Sequence, residues 1–169
     1  MEQQKAGKPD VSGEALWRFS LALYARPGVA EALIALQDRA GCDVNLVLFA
    51  LWRGAAHGHR LDGAELAAAE TAAAPIGRDI VAPLRQLRRR LKAEPAADLQ
   101  DLRRRLLALE LATERHMQYR LAAAASGSHS DGDRSAAAEA NLVLCLGGEG
   151  GSAEAAVLRR AQAGLTRRG

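Results

Sequence analysis

Aromatic side chains are scarce in this 169-residue chain: two Trp, two Tyr and two Phe, 4% of the total. Isoleucine and threonine are also thin, while Ala, Leu, Arg and Glu dominate. Sheets are built from the β-branched and aromatic residues this chain lacks, and Ala and Leu are the best apolar helix formers, so the fold class is all-α. The two cysteines, Cys42 and Cys145, stand far apart and form no CxxC pair. Two cysteines leave a zinc site without enough ligands, and a disulfide is unsupported without a secretory signal. No apolar run approaches the ~20 residues a membrane-spanning helix needs. The opening MEQQKAGKPD is polar, with neither a signal-peptide core nor a transit-helix pattern, and the expectation is a reduced, cytoplasmic protein. Nucleotide and acyl-transfer signatures are missing too. GGEGGS at 147–152 has no Lys before its Ser152, and no nucleophile elbow is present.

What is present is a series of helix signals in a chain of single-domain length. Both tryptophans, both phenylalanines and Tyr24 fall between Ser12 and Trp52, so the core is expected to nucleate there. Residues 1–11 read as a disordered leader and 12–125 as the helical core. Residues 126–134 read as a flexible loop, and 135–169 as C-terminal helices with a Gly-rich hinge and a frayed basic tail. Ser12 caps a first helix that Pro27 ends, and Gly41 closes a second. Asp43 caps a third, apolar on every side from Val44 to Trp52 except at Asn45, which marks it as the central helix of a bundle. Gly54–Gly58 stops that helix, and Asp62 caps an Ala-rich one. Pro75 and Gly77 punctuate the chain before a further helix, with a kink or late start at Pro83. The stripe Ile80, Leu84, Leu87, Leu91 and the stripe Leu99, Leu102, Leu106, Leu109, Thr113 flank the turn at Glu94-Pro95. They describe a long αα-hairpin within a compact bundle of six to seven helices.

Charge is uneven. Residues 78–120 hold 11 basic and 6 acidic groups, whereas 1–77 hold 7 and 9. RQLRRRLK at 85–92 faces LRRRLL at 102–107 across the hairpin, which assembles Arg85, Arg88, Arg89, Lys92, Arg103 and Arg104 into a basic patch. Such a patch suits an acidic protein partner, or nucleic-acid phosphates. No aromatic is interleaved for base stacking and no helix-turn-helix pattern appears, which favours the protein partner or a solvated face. The pairs Glu65/Glu70 and Glu110/Glu114 read as ordinary solvated helix faces.

Two further constellations merit a reading. His57-Gly58-His59 with Asp62 offers two imidazoles and a carboxylate, short of the ligands and supporting shell a metal centre requires, so no metal is expected. Gln37, Asp38, Asp43 and Asn45 gather polar groups at the junction of the second and third helices. Asn45 must find a partner once buried, either across a helix interface or with Gln37 at a small pocket walled by Trp17, Tyr24 and Trp52.

The blocks LWRFSLALYARPGV, ALQDRAGCDVNLVLFALWRG and VAPLRQLRRRLK carry a resemblance over roughly residues 16–125. Its most specific positions are Trp17, Phe19, Tyr24, Pro27-Gly28-Val29, Leu36-Gln37, Asp43-Val44-Asn45 and Leu51-Trp52. There the chain resembles a family of uncharacterised small all-helical proteins of Gram-negative bacteria. The resemblance implies a bacterial, single-domain protein of unknown function and brings no catalytic or binding residue with it.

No catalytic residue and no cofactor is expected, and the reading leans away from an enzyme. The leading expectation is a helical interaction or adaptor module that binds a protein partner through the basic hairpin or a groove beside it. The alternatives are a nucleic-acid-associated accessory protein using the same arginines and a small apolar-ligand site in the aromatic core. A homodimer is also open, since the leucine stripe can pack on a second copy.

Overall fold

A computed structural model of the chain describes residues 12–125 and 132–166; the leader, most of the 126–134 loop and the last three residues lie outside them. Among the described residues the protein is all-α, with eight α-helices. These are α1 (Gly13–Tyr24), α2 (Val29–Ala40), α3 (Val44–His57), α4 (Gly63–Ile76), α5 (Ala82–Arg90), α6 (Ala97–Ala124), α7 (Arg134–Leu146) and α8 (Ala153–Thr166). Caps begin where side chains can accept orphan backbone N–H groups. Ser12 accepts from Ala15 N, and Asp43 accepts from Asn45 N and Leu46 N. Asp62 forms a full capping box with Glu65. Across residues 25–28 the chain turns so sharply that α2 is bent 103° from α1. Gly28, at φ 78°, supplies the left-handed step there.

α3 is the centre, as its all-round apolar surface requires, because it stands between two hydrophobic clusters. On one side Val47, Leu48 and Leu51 pack with Leu33 and Leu36 of α2, Leu142 of α7 and Leu158 of α8. On the other, Phe49 and Trp52 pack with Leu16 of α1, Ile76 of α4, and Met117 and Leu121 of α6. Every residue from Val44 to Ala55 is buried, which no amphipathic helix could sustain.

Gly54 corrects the expected end of α3. The helix runs on to His57, and Gly58 at φ 63° is the residue that caps it. Gly54 is a packing residue: a Cβ there would lie 2.2 Å from the backbone N of Ala138 on α7. Asn141 of α7 fastens the same interface. Its amide donates to Ala50 O (3.0 Å) and His59 O (2.9 Å) and its oxygen accepts from Leu61 N (2.8 Å). Asn141→Ala strands these backbone groups, and its unfolding midpoint in urea should report a loss of about 2 kcal/mol.

The punctuation expected at residues 75–83 is also corrected. Gly77 has right-handed helical angles, and α4 runs through a π-helical segment, Gly77–Val81, directly into α5. Pro83 has no N–H to give and its ring crowds the carbonyl four residues back, so the backbone widens by a residue instead of breaking. The eight helices therefore form seven rods. α6 returns antiparallel along the α4–α5 rod and, at 28 residues, extends about 42 Å. The Gly-rich stretch read as a hinge is a 3-10 segment, Gly147–Gly151. It is tied down by Arg159, which donates to Gly150 O, and by Arg39, which binds Glu149 and Glu154. No single helix among the described residues is long and apolar enough to cross a membrane.

Candidate functional site

The distal half of the hairpin differs from the rest of the bundle. No side chain of α5 is buried, and none of α6 is buried before Glu110. This arm, roughly residues 80–113, has a charged seam, a leucine face and an opposite face that is polar on α5 and carries the exposed Leu107 and Leu111 on α6.

The seam is fixed by ions. Glu110, whose side chain is only 5% exposed, accepts from Arg85 Nε at 3.0 Å and from Arg88 Nε at 2.5 Å. Arg85 also donates through Nη2 to Glu114 Oε1 at 2.6 Å. Burial would raise the Glu110 carboxyl, but the hydrogen bonds and charges of Arg88 and Arg85 outweigh it and hold the group below its ordinary value. Burial dominates at Glu114, with help from the charges of Glu110 and Asp43, and its carboxyl lies above the usual range. Asp43 is raised for the same first reason, in spite of the two N–H groups it caps. Burial and the charge of Glu114 also push the Tyr24 phenol up to about 12. The Glu110/Glu114 pair is thus no solvated helix face, which corrects the sequence reading.

The seam also sets the two faces. At about 100° per residue from Arg85 and Glu110, the two leucine rows lie to the same side of it. Ile80 (46% exposed), Leu84, Leu87 (48%) and Leu91 come from one limb of the arm, with Leu102 (46%), Leu106 and Leu109 (53%) from the other. The stripe expected to close the hairpin therefore faces largely outward. The polar side of α5 turns toward α2, where a cleft of about 510 Å³ is lined by Gln37 and Asp38 from α2 and Arg85, Gln86, Arg89 and Arg90 from α5. One ion pair crosses it, Arg89 Nη2 to Asp38 Oδ1 at 3.1 Å.

The structure divides the six basic residues expected to form one patch. Arg85 and Arg88 lie in the seam, Arg89 in the cleft, and Arg104 is exposed and paired with Asp101. Lys92 is exposed and Arg103 half-buried, both near the tip. Arg90, outside the expected set, lines the cleft.

The five residues expected to wall a small-ligand pocket are scattered. Trp52 is buried between Phe49 and the ring of His57, edge-on to the latter at 4.6 Å. Trp17 is half-buried with the Arg115 guanidinium 5.9 Å from its ring centre. Tyr24 is 39% exposed, and Gln37 faces the cleft. Asn45 is satisfied across helices. Its oxygen accepts from Gln118 Nε2 at 2.9 Å, and Gln118 Oε1 lies 3.0 Å from the Ser20 hydroxyl. This buried chain joins α3, α6 and α1 and is the packing role, not the pocket role, of that asparagine. His59 is held by Glu65 at 2.8 Å, so the two histidines of the HGH loop have separate surroundings.

A family model described as "Protein of unknown function (DUF2390)" matches residues 15–121. The chain belongs to this family. The matched span of DUF2390 takes in the arm, the cleft and the Ser20–Gln118–Asn45 chain, and ends before α7 and α8. No curated protein and no solved structure matches the chain.

Two features escaped the sequence reading: the burial of Glu110 and the seating of Arg90 beside Gln86. The signal for the first was present. Leu106, Glu110, Met117 and Leu121 share a helical face, and two arginines three residues apart stand opposite on α5.

Proposed function

We propose that this DUF2390 protein is a helical interaction module whose docking element is the arm and whose docking face is the double row of leucines. One observation carries the reading. Ile80, Leu87, Leu102 and Leu109 stand about half exposed on an arm whose distal part buries nothing. Scattered surface leucines need no explanation, but a contiguous row on one face does. Helices offering apolar side chains at three- and four-residue spacing are a standard way to engage a partner's helix or groove. The same arginines are less suited to a nucleic-acid backbone, because Arg85 and Arg88 are held by Glu110 and Glu114, and Arg104 by Asp101.

The test is paired capture of partners by the wild type and by Leu102→Asp/Leu109→Asp, quantified side by side. The variant should melt within a few degrees of wild type, since neither side chain is buried, and should lose the specific partner by at least about tenfold, as when an apolar anchor is removed. Equal recovery by both proteins would contradict the proposal. Sedimentation of the purified wild type distinguishes a second copy from a different protein as the occupant.

A further inference from the structure

The cleft between α2 and α5 has no role in the leucine-face reading. Its chemistry is specific. Arg85 is held through Nε and Nη2 by Glu110 and Glu114, which leaves Nη1 uncommitted among the described residues. Arg89 gives one nitrogen to Asp38. Arg90 enters no ion pair among the described residues, and the side-chain amides of Gln37 and Gln86 form no hydrogen bond there.

We propose that this cleft is a binding site for a small multivalent anion bearing phosphate or carboxylate groups. Guanidinium forks are suited to both, because they present parallel N–H donors to two oxygens at once. The two carboxylates behind Arg85 offset part of its charge but fix its orientation, so little ordering is needed when an anion arrives. Asp38 shows where the anion sits. It is an exposed carboxylate of the chain itself, resting on Arg89 across the cleft in a pair that is about half exposed on both sides. Exposed pairs of this kind are weak, so an anion with two or more charged groups displaces Asp38 and recruits Arg90 and the two amides as well.

The displacement makes the proposal testable in both directions. Calorimetric titration with pyrophosphate, and separately with citrate, is carried out at constant ionic strength with chloride as the reference. Side-chain amide resonances of Gln37 and Gln86 are followed by NMR. Asp38→Asn removes the internal competitor and should tighten binding by about threefold to fivefold, the scale of an exposed ion pair. Arg89→Gln/Arg90→Gln should weaken it by at least about tenfold, as expected for loss of charged hydrogen bonds. A response to either probe with this pattern supports the site and tells phosphate from carboxylate. Amide resonances that stay in place, heats equal to those of chloride, or affinities unmoved by both variants would overturn it.

Discussion

Gly54→Ala is expected to destabilise the protein by about 3 kcal/mol, an overpacking penalty at the upper end of the usual range. A melting temperature lower by roughly 6–12 °C follows for a chain of this size. The cause is local and rigid. The added carbon would meet the N and Cα of Ala138 at 2.2 and 2.3 Å, and both are backbone atoms that cannot turn away. Trimming Ala138 to glycine therefore does not rescue the variant. Gly63→Ala is the matched control. Nothing lies within 4 Å of a Cβ at that position, which is the first residue of α4. There the same change should be neutral or should stabilise by a few tenths of a kcal/mol, through helix propensity and a less flexible unfolded chain. Equal effects at the two glycines would show that the close approach of α3 and α7 is not what Gly54 provides.

Glu110→Gln carries the second large effect, a loss of about 3 kcal/mol in unfolding free energy. The substitution keeps the shape but removes the charge that two half-buried guanidinium groups share. Arg85 retains its ion pair with Glu114, whereas Arg88 keeps only the more distant charge of Glu114. Replacing Arg85, Arg88, Glu110 and Glu114 together by leucine should recover most of the loss, because the desolvation cost disappears with the charges and no carboxylate is left without its arginine. If Glu110→Gln alone is nearly neutral, the seam does not hold the arm together.

The pH dependence has a definite sign. The Glu110 carboxyl in the folded protein lies below its ordinary value, so its contribution is complete above the usual carboxylate range and is lost as pH falls through the lowered value. The stability difference between wild type and Glu110→Gln should therefore shrink on acidification. Glu114 and Asp43, both raised, act the other way. Their ionisation costs stability, and that cost vanishes as pH falls through their raised values.

The all-α class, the Ser12, Asp43 and Asp62 caps, the central α3 and the hairpin were legible because each is written locally, in composition, a capping side chain or a periodic run. What was not legible depends on a partner distant in sequence. Gly54 and Gly58 look alike at the end of an apolar run. Only the position of Ala138 makes the first a contact and the second a stop. Pro75 and Gly77 read as a break and Pro83 as a kink or late start, yet α4 runs on through Pro75 and a π segment joins it to α5, the rod being held by α6 packed along it. The row Leu99–Thr113 has ideal spacing for a seam, but a seam follows the strongest pairing available. Two arginines opposite Glu110 turn α6 so that Leu102 and Leu109 face outward. The outward leucine face is thus a consequence of an ion network that the leucine pattern alone does not reveal.

The most direct test of the docking role is site-specific photo-crosslinking in living cells, with the reactive residue placed at Leu102, Leu109, Leu21 or Ile34. All four side chains are similarly exposed, at 46%, 53%, 52% and 52%, but only the first two lie on the leucine face of the arm. The account predicts one discrete crosslinked species from positions 102 and 109 and none from 21 and 34. The same species from all four positions, or silence from the arm, would contradict it.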